Sequence, residues 1–254
     1  MKALAKKPAS KKSAKAIRKS DAKAVVKKPA ALVKKSIPLG TRKKGIVNKI
    51  LAFPQRAASR SRTKLKQSNT DFGALVKELS ANEINAHIGT STWLSDLVYN
   101  GHDPDWCIPK LELLLRAGLN PDTPGLLHRA TYGGGPALRT LLRYGANPIV
   151  PDGRHCPFVA AAEEGLSDYE CQIYIEWLHE ALLDRWLTTG QITKAEYESE
   201  WKNAMKRIRQ SWKDEKQPAA WTQHRMDIFK EIHKARFVYQ SIHDNAYTYE
   251  GQLD

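Results

Sequence analysis

The chain has 254 residues, a net charge of +14 and 41% hydrophobic side chains. That length holds one or two domains, and without a run of about 18 apolar residues nothing in it is expected to span a membrane. Three solitary cysteines, Cys107, Cys156 and Cys171, suit a reducing, intracellular compartment rather than a disulfide framework, with Cys156 and Cys171 read as small core residues.

The charge is unevenly distributed. Residues 1–70 carry 22 Lys or Arg against one acid, Asp21, for +21, whereas residues 71–254 carry 19 bases and 26 acids, for −7. From Met1 to Lys35 the composition is Ala, Lys, Pro and Ser, and Lys6-Lys7-Pro8-Ala9 recurs as Lys27-Lys28-Pro29-Ala30. So little apolar surface cannot offset the entropy of ordering, and residues 1–70 are read as a disordered basic tail and linker. Its composition is similar to the Lys/Ala/Pro tails of linker histones and of histone-like proteins of some bacteria. The tail is expected to bind DNA or RNA by neutralising phosphates without reading sequence. The candidate contacts are Lys6, Lys7, Lys11, Lys12, Lys27, Lys28, Lys34, Lys35, Arg42, Lys43, Lys44, Arg60 and Arg62. An import signal, a transit peptide and a solubilising segment are the alternatives. Within this region Ile46–Phe53 has the apolar spacing of a two-turn amphipathic helix ended by Pro54, and Arg56–Lys66 returns to a basic linker.

At Asp71 the pattern changes. Asp71 reads as an N-cap with Leu75, Val76 and Leu79 at helical spacing behind it, a half unit opening a helical stack. Gly101–Pro109, GHDPDWCIP, reads as a turn-rich loop, and His102, Asp103 and Asp105 within it as a solvated turn rather than a metal site. From Asn120 to Gly165 an order of elements begins, ends and begins again. Thr123-Pro124-Gly125-Leu126-Leu127-His128-Arg129-Ala130 is followed by Leu138, Leu141 and Leu142 and then by Tyr144-Gly145-Ala146-Asn147-Pro148. The exit recurs upstream as Ala117-Gly118-Leu119-Asn120-Pro121, and Cys156-Pro157-Phe158-Val159-Ala160-Ala161-Ala162 repeats the entry. Ile84–Ser95 is a fainter copy.

These residues resemble the ankyrin-repeat signature T-P-L-H-x-A, with one extra residue before Leu-His, over roughly residues 71–183. The resemblance implies paired helices stacked so that neighbours bury one another's apolar stripes. Gly118 and Gly145 should terminate helices, Thr123 and Pro124 should open one, and Gly133-Gly134-Gly135-Pro136 is expected to be an inter-helix turn. His128 matches the family's structural histidine. The resemblance also implies protein binding through repeat tips and the inner-helix face, here Asn85, Tyr99, Asn120, Asp122, Arg129, Tyr132, Asn147, Asp152 and Arg154.

Ser167 with Glu170 and Thr193 with Glu196 form capping boxes that open two further helices. The first carries Trp177, Leu178, Ala181 and Leu182. On the second, Tyr197, Trp201, Met205, Ile208 and Trp212 make one stripe, with Lys202, Lys206, Arg209 and Lys213 on another face, read as solvated. A last helix is expected from about Ala220 to His243, with Trp221, Ile228, Phe229, Ile232, Ala235, Tyr239 and Ile242 on its apolar side. Residues 184–254 are thereby read as a separate helical module.

The expected fold class is all-α: a short repeat stack, extra C-terminal helices and a basic tail. No residue pattern supplies a catalytic, metal or cofactor site. The expected function is a non-enzymatic adaptor that binds a protein through its body and a polyanion through its tail. The alternatives are a structural component of a nucleoprotein or ribonucleoprotein assembly, and a tail that serves only for targeting. Nucleus or nucleoid is the favoured location, with organelle and virion open.

Overall fold

The structure, a computed structural model, describes residues 38–54, 61–100, 103–149, 156–163, 166–235 and 242–243. Among them are eleven α-helices, one π-helical turn and no strand, so the fold is all-α. The described residues belong to one compact unit, Ser36–Asp254.

Helix α1 (Thr41–Leu51) buries Ile46, Val47 and Ile50, and α2 (Arg62–Val76) buries Leu65, Phe72 and Val76. Helix α1 lies within the segment read as tail and linker, and α2 begins in it and runs past residue 70. Folded structure therefore starts well before residue 71, and Asp71 sits inside α2 instead of capping a helix. The reason is physical. Leu65 lies among lysines and looks solitary, yet it shares a helical face with Phe72 and Val76 and reaches the core with them. Two indoles fix the end of α1: Trp93 Nε1 donates to the Phe53 carbonyl at 2.9 Å, and Trp106 Nε1 to that of Pro54 at 3.1 Å.

Ser80 and Glu83 form a capping box at α3 (Ala81–Glu83), which continues as the π-helical turn Ile84–Ile88. Then α4 (Thr92–Tyr99) and α5 (Pro104–Arg116), α6 (Leu126–Gly133) and α7 (Gly135–Arg143), and α8 (Pro157–Ala160) and α9 (Asp168–Leu187) follow as pairs. One layer packs α4 on α6 and α6 on α8; the other packs α2 on α5, α5 on α7 and α7 on α9. Successive pairs begin roughly 30 residues apart, the scale of a helical repeat.

Two local readings change. Pro104 opens α5 at its first position, so the expected loop is helix from that residue on, with Pro109 inside it. Pro109 removes one ladder bond, and burial of Trp106, Cys107, Ile108 and Leu111 in the same turns offsets that loss. The opening of α6 also differs. The Thr123 hydroxyl donates to the Asn120 carbonyl at 2.8 Å and does not cap the helix. Gly125, at φ 77°, precedes Leu126 and takes up the extra residue of the signature.

The expected stops hold. At Gly118 (φ 98°) and Gly145 (φ 84°) the chain turns left-handed. Leu119 N–H reaches the Leu114 carbonyl and Ala146 N–H that of Leu141, the paired bonds of a Schellman end.

Helices α10 (Lys194–Asp214) and α11 (Ala219–Ala235) do not form a separate module. Helix α10 packs on α8 and α9, α11 packs on α9, and the proposed boundary at 183/184 falls inside α9. Helix α11 is described as far as Ala235; residues 236–241 of the expected helix lie outside the described residues, and Ile242 is buried. Both C-terminal capping boxes form. The Tyr197, Trp201, Met205, Ile208 and Trp212 stripe is buried as expected, within one continuous core that includes Ile46 and Ile242.

Candidate protein-binding face

The tips of the stack are joined by side-chain amides and carboxylates. Asn85 Nδ2 donates to the carbonyls of Ala81 and Gly118, while its Oδ1 accepts from Asn120 N–H at 2.6 Å. One unit further on, Asp122 Oδ1 accepts from Asn147 N–H at 2.6 Å. Asn120 Oδ1 takes Asp122 N–H and Asn147 Oδ1 takes Ile149 N–H, each at 3.0 Å. Each side chain thus satisfies a backbone donor that the turn would otherwise leave to water. Asn85, Asn120, Asp122 and Asn147 are consequently engaged in registering one tip on the next. Asp152 and Arg154 lie outside the described residues.

The remaining three expected residues come together on the face of α4 and α6. The two helices touch closely at Gly133, where an added Cβ would stand 2.0 Å from the Val98 carbonyl oxygen. That approach brings Arg129 over Tyr99, with the guanidinium carbon 4.1 Å from the ring centroid. Asp96 Oδ1 lies 3.9 Å from the same guanidinium. One turn along, Tyr132 packs edge-on against His128 at 5.2 Å and donates its hydroxyl to Glu163 beyond α8. Burial, reinforced by the Glu163 carboxylate, raises the phenol well above its ordinary pKa, so it remains a neutral donor. Tyr99 and Tyr132 are nevertheless 41% and 43% exposed, two of the four exposed large apolar side chains among the described residues. An Arg stacked on one half-exposed tyrosine, with a second one turn along the same helix, has the composition of an interface hot spot.

The expected phosphate contacts divide. Lys43 is spent on the fold: its Nζ lies 2.8 Å from Glu83 Oε1, tying α1 to α3. That bond, with the Ser80 backbone and hydroxyl, pulls the Glu83 carboxyl down to about 2. Arg42 pairs with Glu78 at 2.7 Å. Lys44 and Arg62 are exposed. Arg60, Lys6, Lys7, Lys11, Lys12, Lys27, Lys28, Lys34 and Lys35 lie outside the described residues.

Buried groups that the pattern did not single out hold the ends of the stack. Lys110 is fully buried on α5, donating to Asn69 Oδ1 at 2.8 Å and standing 3.4 Å from the Trp106 ring centroid. Burial pulls it down to about 8. At the other end, Arg225 of α11 reaches Asp168 and the carbonyls of Ala162, Glu163 and Leu166 at 2.7–3.3 Å. Burial pushes the thiols of Cys107 and Cys171 up to about 12, so neither is a thiolate at neutral pH. Among the described residues no three His, Cys, Asp or Glu side chains are grouped to hold a metal ion, and no helix is long and apolar enough to cross a membrane.

No family model, curated protein or solved structure matches the chain.

Proposed function

We propose that the chain is a non-enzymatic adaptor built on an ankyrin-like stack, which binds a partner protein across α4 and α6 while its basic tail holds DNA or RNA. The observation that carries the reading is the Tyr99, Arg129 and Tyr132 group, a guanidinium stacked on one half-exposed aromatic with a second one turn along α6. The recurrence of helix pairs and the side-chain ladder between tips support the family assignment. The split between +21 in residues 1–70 and −7 in the remainder supports a separate electrostatic anchor. The same split favours, as a second reading, a nucleoprotein component whose body is structural. Either reading suits a location where nucleic acid is present, the nucleus or nucleoid first.

The test uses the full chain and a variant carrying Tyr99→Ala, Arg129→Ala and Tyr132→Ala as baits for crosslinking capture, read by quantitative mass spectrometry. Proteins held by the full chain and lost at least tenfold by the variant, at unchanged helix content, are the expected result. Equal capture by both baits would sink the assignment of this face. For the tail, Lys6, Lys7, Lys11, Lys12, Lys27, Lys28, Lys34 and Lys35 are changed to Gln, and binding to duplex DNA and structured RNA is titrated with salt. The log-log slope should flatten by about 0.7 to 0.9 per lost phosphate contact. An unchanged slope removes the tail from nucleic-acid binding.

A further inference from the structure

Helices α10 and α11 leave a cleft of about 790 Å³ between them, away from the Tyr99, Arg129 and Tyr132 group. Its floor is apolar, made by Trp201, Met205 and Met226, which are 6%, 7% and 3% exposed. Its wall is fixed: His233 lies flat on Trp201, rings 5.0 Å apart and 9° from parallel, and its Nδ1 is 3.0 Å from the Tyr197 hydroxyl.

The rim is cationic. Lys202, Lys206 and Arg209 stand exposed at steps of four and three along α10. Among the described residues no carboxylate lies within ion-pair distance of any of the three. Lys230, ion-paired with Asp227 at 2.7 Å, faces them from α11. One acid lines the cleft, Glu198, and it is paired with His233 at 3.2 Å. Favourable alignment with the helix dipole accounts for bases toward the end of α10. It does not account for three unpaired cations in a row, about 10 Å long, beside an apolar floor. Residues 71–254 as a whole carry −7, so this row is a local reversal of sign on an acidic body.

We propose that the cleft docks an acidic amphipathic helix of a partner protein, with carboxylates on Lys202, Lys206 and Arg209 and apolar side chains on the methionine floor. Carboxylates at i, i+4 and i+7 on such a helix match the spacing of the row. Met205 and Met226 are largely covered in the free chain, and their unbranched side chains can repack against Leu or Phe side chains that enter the cleft. A nucleic-acid strand fits less well, because bases stack on open aromatic faces and the Trp201 face is taken by His233. This inference does not depend on the α4 and α6 face.

The test measures fluorescence anisotropy with the full chain at about 150 mM salt, where screening acts over roughly 8 Å. One probe is a labelled 14-residue peptide with Glu on one helical face and Leu on the other. The second has Ser in place of Leu, and the third is single-stranded DNA. The Glu/Leu peptide is expected to bind at least fivefold more tightly than the Glu/Ser peptide. The exposed charge reversals Lys202→Glu, Lys206→Glu and Arg209→Glu together should weaken it at least tenfold, with single-stranded DNA binding changed less than twofold. Absence of Glu/Leu binding, equal affinity for the Ser peptide, or an unaffected triple variant overturns the proposal. Parallel loss of peptide and DNA by that variant also overturns it and makes the row a phosphate stripe.

Discussion

Arg225→Met isolates the contact that fastens the last helix to the stack. The guanidinium is 3% exposed and makes a charge-assisted bond to Asp168 Oδ1 at 2.9 Å. It also donates to the carbonyls of Ala162 at 3.3 Å, Glu163 at 3.1 Å and Leu166 at 2.7 Å. Met keeps most of the apolar stem and deletes the donors. Bonds to a charged group contribute about 1.5–3 kcal/mol each, yet they are not additive here. The Ala162 carbonyl keeps the Trp212 indole at 2.9 Å, and Glu163 and Leu166 are partly exposed and regain water. Asp168 is half-exposed, so its share is small. The expected loss is about 3 kcal/mol, within the range for breaking a buried charged contact. Arg225→Lys, with one point donor in place of a fork, should recover roughly half of it. Urea unfolding followed by tryptophan fluorescence reads the change as a shift in midpoint. A Met variant within about 1 kcal/mol of the parent would show that α11 is held by Phe229 and Ile232 packing alone, and the latch reading would fail.

Lys110 supplies a pH signature. Its folded value of about 8 lies below the ordinary 10.5, so between those values the unfolded chain binds more protons and stability rises with pH. Relative to Lys110→Met, the parent should gain about 1 kcal/mol between pH 7 and pH 9. Parallel curves in urea titrations across that range would refute it. Cys107 and Cys171, raised from 9 to about 12, act in the opposite direction, lowering stability above pH 9 in parent and variant alike. Glu83, held at about 2, contributes stability that is complete above its ordinary 4.5 and is lost as pH falls through the folded value. Lys43→Met should therefore make acid unfolding between pH 4.5 and 2 shallower, measured by circular dichroism, and an unchanged acid limb would refute the pairing. Gly133→Ala should cost about 2 kcal/mol or more, because its Cβ would meet the Val98 carbonyl and Tyr99 backbone before any side chain could yield. A melting temperature unchanged by that substitution would contradict the close approach of α4 and α6.

The parts legible in the sequence were those governed by local rules. Gly118, Gly145 and the two boxes at Ser167 and Thr193 act within a few residues of chain, and the α10 stripe is a period that one helix carries alone. Helix α2 is not legible in the sequence because its evidence is non-local. Leu65 among lysines and Phe72 beside Asp71 become a core face only once α5 and the Phe53 to Trp106 aromatic group lie against them. The candidate face was half legible. Position placed Tyr99, Arg129 and Tyr132 among the exposed residues of the stack, but it could not separate them from Asn85, Asn120, Asp122 and Asn147. The Asn85 and Asp122 side chains are taken up by backbone groups of the adjacent unit, at separations of 25 residues and more, and those of Asn120 and Asn147 by their own turns. Arg225 and Lys110 gave no signal, since a lone base in a helix reads as a surface residue until its environment is known.

A stack this short has an exposed-end problem, and the flanking helices answer it. Each helix pair buries only part of its apolar surface against its own unit, so the first and last pairs need covers with a polar outer side. Helices α1 and α2 serve at the start, where Trp93 and Trp106 bind the α1 terminus through their indoles and Lys110 is enclosed behind them. Helices α10 and α11 serve at the end, where Trp212 and Arg225 take the carbonyls that follow α8. With both ends closed, neighbouring units consume the tips and the layer contacts. Among the described residues, the features that project past the packing include Tyr99, Arg129 and Tyr132, and the cationic row above the α10 and α11 cleft. The two proposed surfaces differ in chemistry, one aromatic and one cationic, so substitutions in one are expected to leave binding at the other unchanged.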